Sequence, residues 1–351
     1  MQDDILKLAY ELSKVTEEKI DSIDGVMRKS ELLAINALIE ASRAGAQGAA
    51  FSVVAQEMAA LAENIRRLSG ELRQAISENT EGLQVAGARM LHEFRGTRYA
   101  DLALNAIELI DRNLYERSCD VRWWATDQAV VDAAASSGDA ERRHASERLA
   151  TILRSYTVYL DLWIADADGR VIATGRPRHY PKALGSDVSN TRWFRDAMAT
   201  RSGDDFAVAD VETLSALGGA SVATYATAIR RDGAEKGEAI GALGIFFDWA
   251  PQAEAVVTGV SLSAEEKASC RVLLLDANHR VIASSDGRGI LTETFKLPKT
   301  SGQSRGFVVE GDRMVGYALT PGYETYAGLG WYGVVEASIG LAAAQQVKSA
   351  A

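Results

Sequence analysis

The sequence predicts an α+β protein, in which an antiparallel helical hairpin precedes two related antiparallel sheets that share one long helix. Three observations carry this prediction: a helix–turn–helix run at residues 32–63, a strand–turn–strand motif that occurs twice, and a helical stretch at residues 97–127. Helices grouped apart from antiparallel strands are typical of the α+β class.

The hairpin is predicted from a turn between two helical patterns. Residues 32–63 read LLAINALIEASRAGAQGAAFSVVAQEMAALAE, and small residues around Gly45 and Gly48 interrupt the apolar pattern. Glycine adopts backbone angles that other residues resist, so a sharp reversal is expected there. Beyond the turn, apolar residues recur at the coiled-coil spacing of three and four. These residues are Phe51, Val54, Met58, Leu61, Ile65, Leu68, Leu72 and Ala75.

Two such arms form an antiparallel pair, and one pair leaves apolar surface exposed. A second copy of the chain would cover that surface, which predicts a homodimer with a four-helix bundle. A hairpin with a purely structural role carries the same heptads, so the heptads alone do not decide the function.

The run at residues 32–63 resembles the hairpin tip of bacterial chemoreceptors, the methyl-accepting chemotaxis proteins. Residue types match from Asn36 through Gly48 and on to Ala62. The resemblance implies that the tip contacts a chemotaxis histidine kinase and its coupling protein. The predicted partner-binding residues are Leu33, Asn36, Glu40, Arg43, Gln47 and Val53.

Several residues depart from the chemoreceptor pattern. Ala46 stands where the family has a glutamate, and Arg28 stands where it often has an aromatic residue. The family's basic or polar positions after the turn hold Ala49, Ala59 and Ala60. These departures favour an alternative function, a dimeric interaction scaffold whose sensor domain is degenerate and binds no ligand. Both interpretations stay open from the sequence.

Bulk properties exclude several classes of protein. The chain has 351 residues, which predicts two or more domains, and its net charge of −10 argues against nucleic acid or anionic membrane as partner. Cys119 and Cys270 are in no metal or redox spacing. No stretch of about 18 uncharged apolar residues exists, so no membrane span is predicted. The expected location is the cytoplasm.

No catalytic constellation is recognisable in the sequence. The four histidines are scattered without metal-ligand spacing, and neither a nucleophile elbow nor a phosphate-binding glycine loop is present. The sequence therefore predicts no enzymatic activity, no metal and no cofactor.

A repeat organises the second half of the chain. ADADGRVIAT at residues 165–174 and LDANHRVIAS at 275–284 share six residues in register, and each predicts a strand, a tight turn and a strand. Two later anchors follow in the same order and predict two copies of one sheet unit, the first with a larger insertion. These anchors are Tyr225-Ala226 with Tyr317-Ala318, and Leu243-Gly244 with Leu329-Gly330.

This order of long helix, larger sheet unit and smaller sheet unit resembles the double Cache sensor domain, two PAS-like units on one long helix. The resemblance covers roughly residues 100–340 and rests on the repeat, on SDVSNTRWFRDA at 186–197 and on GALGIFFDWAP at 241–251. The predicted domains are a hairpin at 1–95, a long helix with the first, ligand-binding unit at 96–260, a second unit at 261–341 and a tail at 342–351.

The resemblance places a small ligand between the first sheet and the inserted helix and loops. Arginine offers a planar fork that suits a carboxylate, an aromatic wall offers apolar and cation–π contacts, and aspartates pair an ammonium group. The predicted ligand-binding residues are Arg192, Trp193, Phe194, Asp210, Tyr225 and Asp248.

Structural roles compete with this assignment. Trp193 and Phe194 are also natural core residues because large aromatics dominate packing, and Arg192 has Asp187 and Asp196 nearby as ion-pair partners.

The pattern of double Cache domains that bind amino acids is not met. Ser186 and Thr191 stand at its tyrosine and arginine positions. The ligand class, amino acid, amine or carboxylate, therefore stays open. Binding is expected to shift the long helix, to the extent that the ligand favours one arrangement over another.

Overall fold

The computed structural model describes the main chain of residues 2–300 and 302–339, with side chains from Glu11 onward. The chain divides into two compact units, the first ending at Phe94 and the second beginning at Arg95. One helix contributes residues to both units. The helices are α1 (Gln2–Arg43), α2 (Ala49–Trp124), α3 (Gln128–Ala135), α4 (Asp139–Ser155), α5 (Arg192–Met198), α6 (Trp249–Gly259) and α7 (Ala264–Ser269).

Ten strands form two five-stranded antiparallel sheets in the second unit, with the orders β2-β1-β5-β4-β3 and β7-β6-β10-β9-β8. The two orders are the same when the strands of each sheet are numbered separately. The predicted α+β class is confirmed. The strands are β1 (Tyr159–Asp166), β2 (Val171–Thr174), β3 (Ala207–Leu214), β4 (Ala220–Arg230), β5 (Ala239–Asp248), β6 (Cys270–Leu275), β7 (Val281–Ser284), β8 (Arg305–Glu310), β9 (Arg313–Leu319) and β10 (Tyr332–Ser338).

The hairpin turns where the glycines predict it. A single 3-10 turn at Gly45–Gly48 separates α1 from α2, and Gly45 has a φ of +58°, which favours glycine. Gly48 is buried against α1, where an added Cβ would lie 2.1 Å from the carbonyl oxygen of Ala41. The first glycine is required by its backbone angle, and the second by close approach of the two arms.

Small side chains fill the contact between the two arms. Buried positions recur at intervals of seven residues on both arms, which is the heptad period. The predicted seam of large apolar residues does not lie there, because Phe51 is 74 % exposed and Leu61 is 60 % exposed. This exposure agrees with the prediction that one pair of arms leaves apolar surface uncovered. The buried small residues are Ala34, Ala41, Gly48, Ala55, Ala62 and Ser69.

Ion pairs between the arms fix their register. Arg66 of α2 pairs with Glu31 of α1, and Arg73 Nη2 lies 2.7 Å from Asp21 Oδ1 and 3.3 Å from Asp24 Oδ2. These contacts are at the surface, so each contributes little to stability but selects one alignment of the two helices.

The sheet repeat is confirmed in its first anchor. Asp166 and Asp276 each accept hydrogen bonds, through Oδ1, from the backbone N–H groups two and four residues further on. Gly169 and His279 hold the equivalent turn position with φ of +81° and +62°. The two β-hairpins, β1–β2 and β6–β7, also carry a β-bulge at the same place, before the turn.

The later anchors of the predicted repeat are wrong. When the two sheets are aligned through their strand pairings, Tyr317 of β9 corresponds to Ala226 of β4. The predicted counterpart, Tyr225, is one residue earlier. Leu243 lies within β5, whereas Leu329 precedes β10. Because successive strand residues point to opposite faces, an offset of one residue sends Tyr225 and Tyr317 to opposite faces of their sheets.

The main core of the second unit lies between α2 and one face of each sheet, and includes Ala103 and Ile107. Glycine lets the helix approach the second sheet closely: an added Cβ at Gly333 would lie 2.1 Å from the carbonyl oxygen of Ala103. The opposite face of the first sheet has a separate core, which includes Trp193 of α5.

Within the described ranges, no helix combines the length and hydropathy that a membrane crossing requires. The predicted tail at residues 342–351 lies outside the described residues. The predicted boundary near residue 260, between the two sheet units, stays a prediction.

Candidate functional site

The hairpin tip presents its predicted partner-binding residues to solvent. The four that belong to α1, from Leu33 to Arg43, share one face of the helix because they are spaced by three, four and three residues. Arg43 donates to Glu40, with Nη1 3.3 Å from Oε2, and both side chains are about three-quarters exposed. The exposed residues are Leu33, Asn36, Glu40, Arg43, Gln47 and Val53.

Apolar side chains at the same tip are exposed beside these polar ones. Leu33 is 63 % and Val53 is 58 % exposed, and Phe51 follows the turn. Exposed large apolar side chains among charged groups are typical of a protein-binding site. The tip therefore has the composition of a contact surface.

The predicted ligand residue Arg192 lies in solvent. It begins α5, its side chain is 68 % exposed, and Nε lies 3.3 Å from Oδ2 of Asp196. Of the two acidic neighbours considered from the sequence, Asp196 is the partner. The carboxylate of Asp187 instead accepts the N–H of Ser189, and these hydrogen bonds hold its pKa below the usual range.

Trp193 and Phe194 are buried in the core behind the first sheet. The ring centroids of Trp193 and Phe246 are 5.9 Å apart, and those of Trp163 and Phe246 are 4.1 Å apart. An added Cβ at Gly244 would lie 3.0 Å from the Trp193 ring, so glycine lets this ring lie directly on β5. These aromatic side chains fill the face on which the ligand was expected.

The three remaining predicted residues are in different surroundings. Tyr225 is fully buried on the α2 side of the sheet, with its hydroxyl 3.0 Å from that of Tyr326. Asp210 Oδ1 accepts a hydrogen bond from Trp331 Nε1 at 3.3 Å. Asp248 ends β5 half-buried, and burial raises its pKa. The six residues do not converge on one cavity, because Tyr225 and Trp193 lie on opposite faces of the sheet.

Asp161 of β1 is a fully buried carboxylate that was not predicted from the sequence. Its Oδ1 accepts the backbone N–H groups of Leu162, Gly175 and Arg176 at 2.8 to 3.0 Å, and its Oδ2 accepts Trp163 Nε1 at 3.0 Å. Burial raises the pKa of Asp161 to about 6, against these four hydrogen bonds. An acid inside the otherwise apolar run YLDLWIA is the signal that points to it. Asp161 ties β1 to the segment that follows β2.

A cavity of about 350 Å³ at the end of α2 was also not predicted from the sequence. Arg122 and Trp123 line it from the last turn of α2, and Arg230 lines it from the end of β4. An arginine that ends a buried strand is the signal that was available. Among the described residues, no group of three or more histidine, cysteine or acidic side chains is placed to hold a metal ion.

Comparison with known proteins identifies the first part of the chain. Residues 3–112 match the family model of the methyl-accepting chemotaxis protein (MCP) signalling domain. The frizzy aggregation protein FrzCD of Myxococcus xanthus is 40 % identical over 79 residues, which are 22 % of this chain and 19 % of that protein. The methyl-accepting chemotaxis protein CtpL of Pseudomonas aeruginosa is 34 % identical over 119 residues, which are 30 % of this chain and 18 % of that protein. The chain thus spans about a fifth of the length of these relatives.

Comparison with solved structures identifies the fold of the second part. The sensory domain of the Campylobacter jejuni chemoreceptor Tlp3 superimposes with a TM-score of 0.52 at 14 % identity, covering 72 % of this chain and 96 % of that domain. The same domain with isoleucine bound gives a TM-score of 0.51 at 14 % identity, covering 72 % and 95 %. At this identity the likeness shows the fold alone.

The chain therefore combines a segment similar to the MCP signalling domain with a second part that has the fold of a chemoreceptor sensory domain. Both predicted resemblances are confirmed at this level. The relatives are named as chemotaxis proteins and transducers rather than enzymes, in agreement with the prediction of a non-enzymatic protein.

Proposed function

We propose that the protein is a chemoreceptor-type transducer that senses a small molecule through its Cache-type unit. As a cytoplasmic homodimer, it signals through the hairpin tip to a chemotaxis histidine kinase and its coupling protein. The observation that carries this proposal is the match of residues 3–112 to the MCP signalling domain. The exposure of the six tip residues supports it, since a contact surface must be accessible.

Helix α2 is the element through which a signal would pass. It supplies the second arm of the hairpin and also packs on both sheets of the second unit, which we call the sensor unit. These contacts involve residues such as Ile107 and Leu114. A ligand biases such a helix only by binding one arrangement of the sensor unit more tightly than another.

The exposed seam supports the homodimer. Leu61 is 60 % and Leu68 is 53 % exposed in the single chain, on the face of α2 that carries the coiled-coil spacing. Covering such side chains stabilises an assembly by roughly 25 cal/mol for each Å² removed from water. A second hairpin is the simplest cover and gives a four-helix bundle.

The output side is tested by capture of a chemotaxis kinase and its coupling protein on the full chain. Arg43→Ala removes a tip charge and is expected to weaken capture about tenfold, the usual scale for a charged contact residue. Arg67→Ala is the matched control, because Arg67 also forms an exposed ion pair along one helix, with Glu71. Absence of capture by the wild-type chain, or equal effects of both variants, would remove kinase control from the proposal.

The input side is tested by thermal-shift screening of the full chain against amino acids, amines, carboxylates and nucleobases. A ligand that binds the folded state raises the melting temperature by mass action. The six tryptophans all lie at residue 123 or later, so their fluorescence reports the sensor unit and not the hairpin.

A dimeric scaffold without a ligand is the second candidate function. The aromatic side chains Trp163, Trp193 and Phe246, which fill the face behind the first sheet, favour it. A dimeric chain that captures partners but shows no thermal shift with any compound would establish the scaffold instead of the sensor.

A further inference from the structure

We infer that the cavity at the end of α2 is a binding site for a small organic carboxylate with an apolar body. This inference deepens the proposed sensing function, and its biological meaning rests on that function. The site is distinct from the predicted ligand residues, none of which lines it. Its lining comes from the end of α2, the segment before β3, the end of β4 and the β4–β5 connection: Cys119, Arg122, Trp123, Asp204, Arg230 and Glu235 are the polar or aromatic members besides threonines.

Arg230 is a buried cation without a counter-ion. Arg230 is 7 % exposed. Its Nη1 and Nη2 donate to the carbonyl oxygens of Gly237 and Thr200, respectively. Among the described residues, Nε–H has no hydrogen-bond partner and no carboxylate is within ion-pair distance of the guanidinium. Burying an unpaired charge is costly, so an anion in the adjoining cavity would stabilise the folded protein.

Arg122 brings a second guanidinium to the same cavity. It is half-buried, with Nε 2.8 Å from the carbonyl oxygen of Ser118 and Nη1 3.2 Å from that of Asp204. Phe206 lies under its plane, 5.7 Å away. No carboxylate in the described part of the chain pairs with it either. The Nη2 of Arg122 lies 3.5 Å from the sulfur of Cys119. Two arginines whose hydrogen-bond acceptors are all neutral leave charge available for an incoming carboxylate.

The two acids of the lining do not cancel this charge. Asp204 and Glu235 are both exposed, so water screens their carboxylates, whereas the arginines are buried or half-buried. The potential inside the cavity is therefore positive, and an anion is the ligand charge that it favours.

Trp123 supplies the apolar part of the site. The indole is 68 % exposed beside the cavity, although tryptophan is among the side chains that proteins most often bury. A carboxylate with an aromatic or aliphatic body covers this ring while its anion lies near the arginines. Inorganic phosphate satisfies the charge but leaves the indole exposed, so the carboxylate is the class that fits both features.

The location links the site to the signalling helix. Arg122 and Trp123 are in the last turn of α2, the helix whose other end forms the hairpin arm. Ligand contacts there act directly on the element proposed to carry the signal.

Calorimetric titration of the full chain tests this inference with three probes: benzoate, phenylacetate and hexanoate. Each is compared with its neutral primary amide, which has nearly the same shape and no charge. The carboxylates are expected to bind about tenfold or more tightly than the amides, because a charge-assisted hydrogen bond is roughly twice as strong as a neutral one.

Two substitutions locate the binding. Arg122→Gln removes one guanidinium, and Ala234→Trp fills the cavity from an exposed lining position while both arginines are kept. Each is expected to weaken carboxylate binding about tenfold or more. Arg231→Gln is the control, since Arg231 neighbours Arg230 but is exposed and pairs with Glu238. Folding of each variant is checked by the tryptophan-fluorescence transition.

The inference would be overturned if no carboxylate bound at concentrations up to about 10 mM, because a weaker affinity is too low for useful recognition. Equal affinity for acids and amides would also overturn it, and so would unchanged affinity in both Arg122→Gln and Ala234→Trp. Binding of inorganic phosphate without the carboxylates would overturn the ligand class. Failure of kinase capture with carboxylate binding intact would remove the proposed function and leave the site.

Discussion

The hairpin and the sensor unit bury opposite kinds of side chain. Between the hairpin arms the buried positions are mostly alanine, as at Ala55 and Ala62, while Phe51 and Leu61 face solvent. In the sensor unit the largest buried side chains are aromatic, as at Trp193 and Phe246. The sensor unit has a complete core in one chain, and the hairpin does not.

The two kinds of core suit different roles. A two-helix contact made of alanine removes little apolar area, so it supplies little stability by itself. The large residues left outside are available to other chains, which suits a signalling bundle. The sensor unit has its own core, so it is expected to fold without assembly.

Replacing one phenylalanine by alanine in each region is expected to give the largest difference between them. Phe246→Ala is expected to destabilise the sensor unit by about 3–5 kcal/mol, the usual cost of removing a buried phenylalanine. Phe51→Ala is expected to leave the tryptophan-fluorescence unfolding transition in urea unchanged. Equal shifts of that transition would contradict the separation of the two cores.

A pH effect confined to the sensor unit is expected from Asp161, whose pKa is raised to about 6 by burial. The folded state holds its proton more tightly than the unfolded chain does. The resulting stabilisation is therefore complete below about pH 4 and is lost by about pH 6, and each pKa unit corresponds to about 1.4 kcal/mol.

The measurement is urea unfolding by tryptophan fluorescence between these pH values, for the wild type and Asp161→Asn. The asparagine variant is expected to be less stable at pH 7, since its amide N–H₂ faces the indole donor of Trp163, and to lack this pH dependence. The same pH slope in both proteins would assign it to another group.

Gly48→Ala tests the close contact of the hairpin arms. Its Cβ would meet the Ala41 carbonyl oxygen at 2.1 Å, so a loss of about 1–3 kcal/mol is expected. Gly70→Ala, within α2, is the matched control, since an added Cβ there has no neighbour within 4 Å, and it is expected to stabilise the helix by up to about 1 kcal/mol. Thermal unfolding followed by circular dichroism distinguishes them, and a loss at both positions would contradict this reading of the turn.

The smallest effect concerns the surface ion pairs of the hairpin. Arg73→Ala breaks contacts with Asp21 and Asp24 on the other arm, and Arg67→Ala breaks one within α2. Each is expected to cost about 1 kcal/mol or less, with the larger loss for Arg73 because it joins two helices. Circular dichroism measured at low and high salt separates the two, and an equal, salt-independent loss would rule out a role in arm register.

Much of the fold was predictable from local patterns. The turn at Gly45 and the paired hairpins at Asp166 and Asp276 follow from residues close in sequence. The pairing of Tyr225 with Tyr317 failed because a slip of one residue in a strand reverses the face, and no local signal fixes that register.

The candidate sites were predictable only where exposure follows from the helix pattern. The tip residues around Asn36 lie on one helical face, as the spacing requires. Whether Trp193 lines a cavity or fills one depends on partners such as Phe246, more than fifty residues away. The cavity beside Arg230 was missed because it joins segments about one hundred residues apart, which no motif connects.

Sedimentation equilibrium of the full chain tests the central claim, that the hairpin is half of an intermolecular bundle. The wild-type chain is predicted to be a dimer, and the double variant Leu61→Ser, Leu68→Ser is predicted to dissociate while its tryptophan-fluorescence transition is unchanged. A monomeric wild-type chain, or a dimer that is indifferent to these two substitutions, would contradict it.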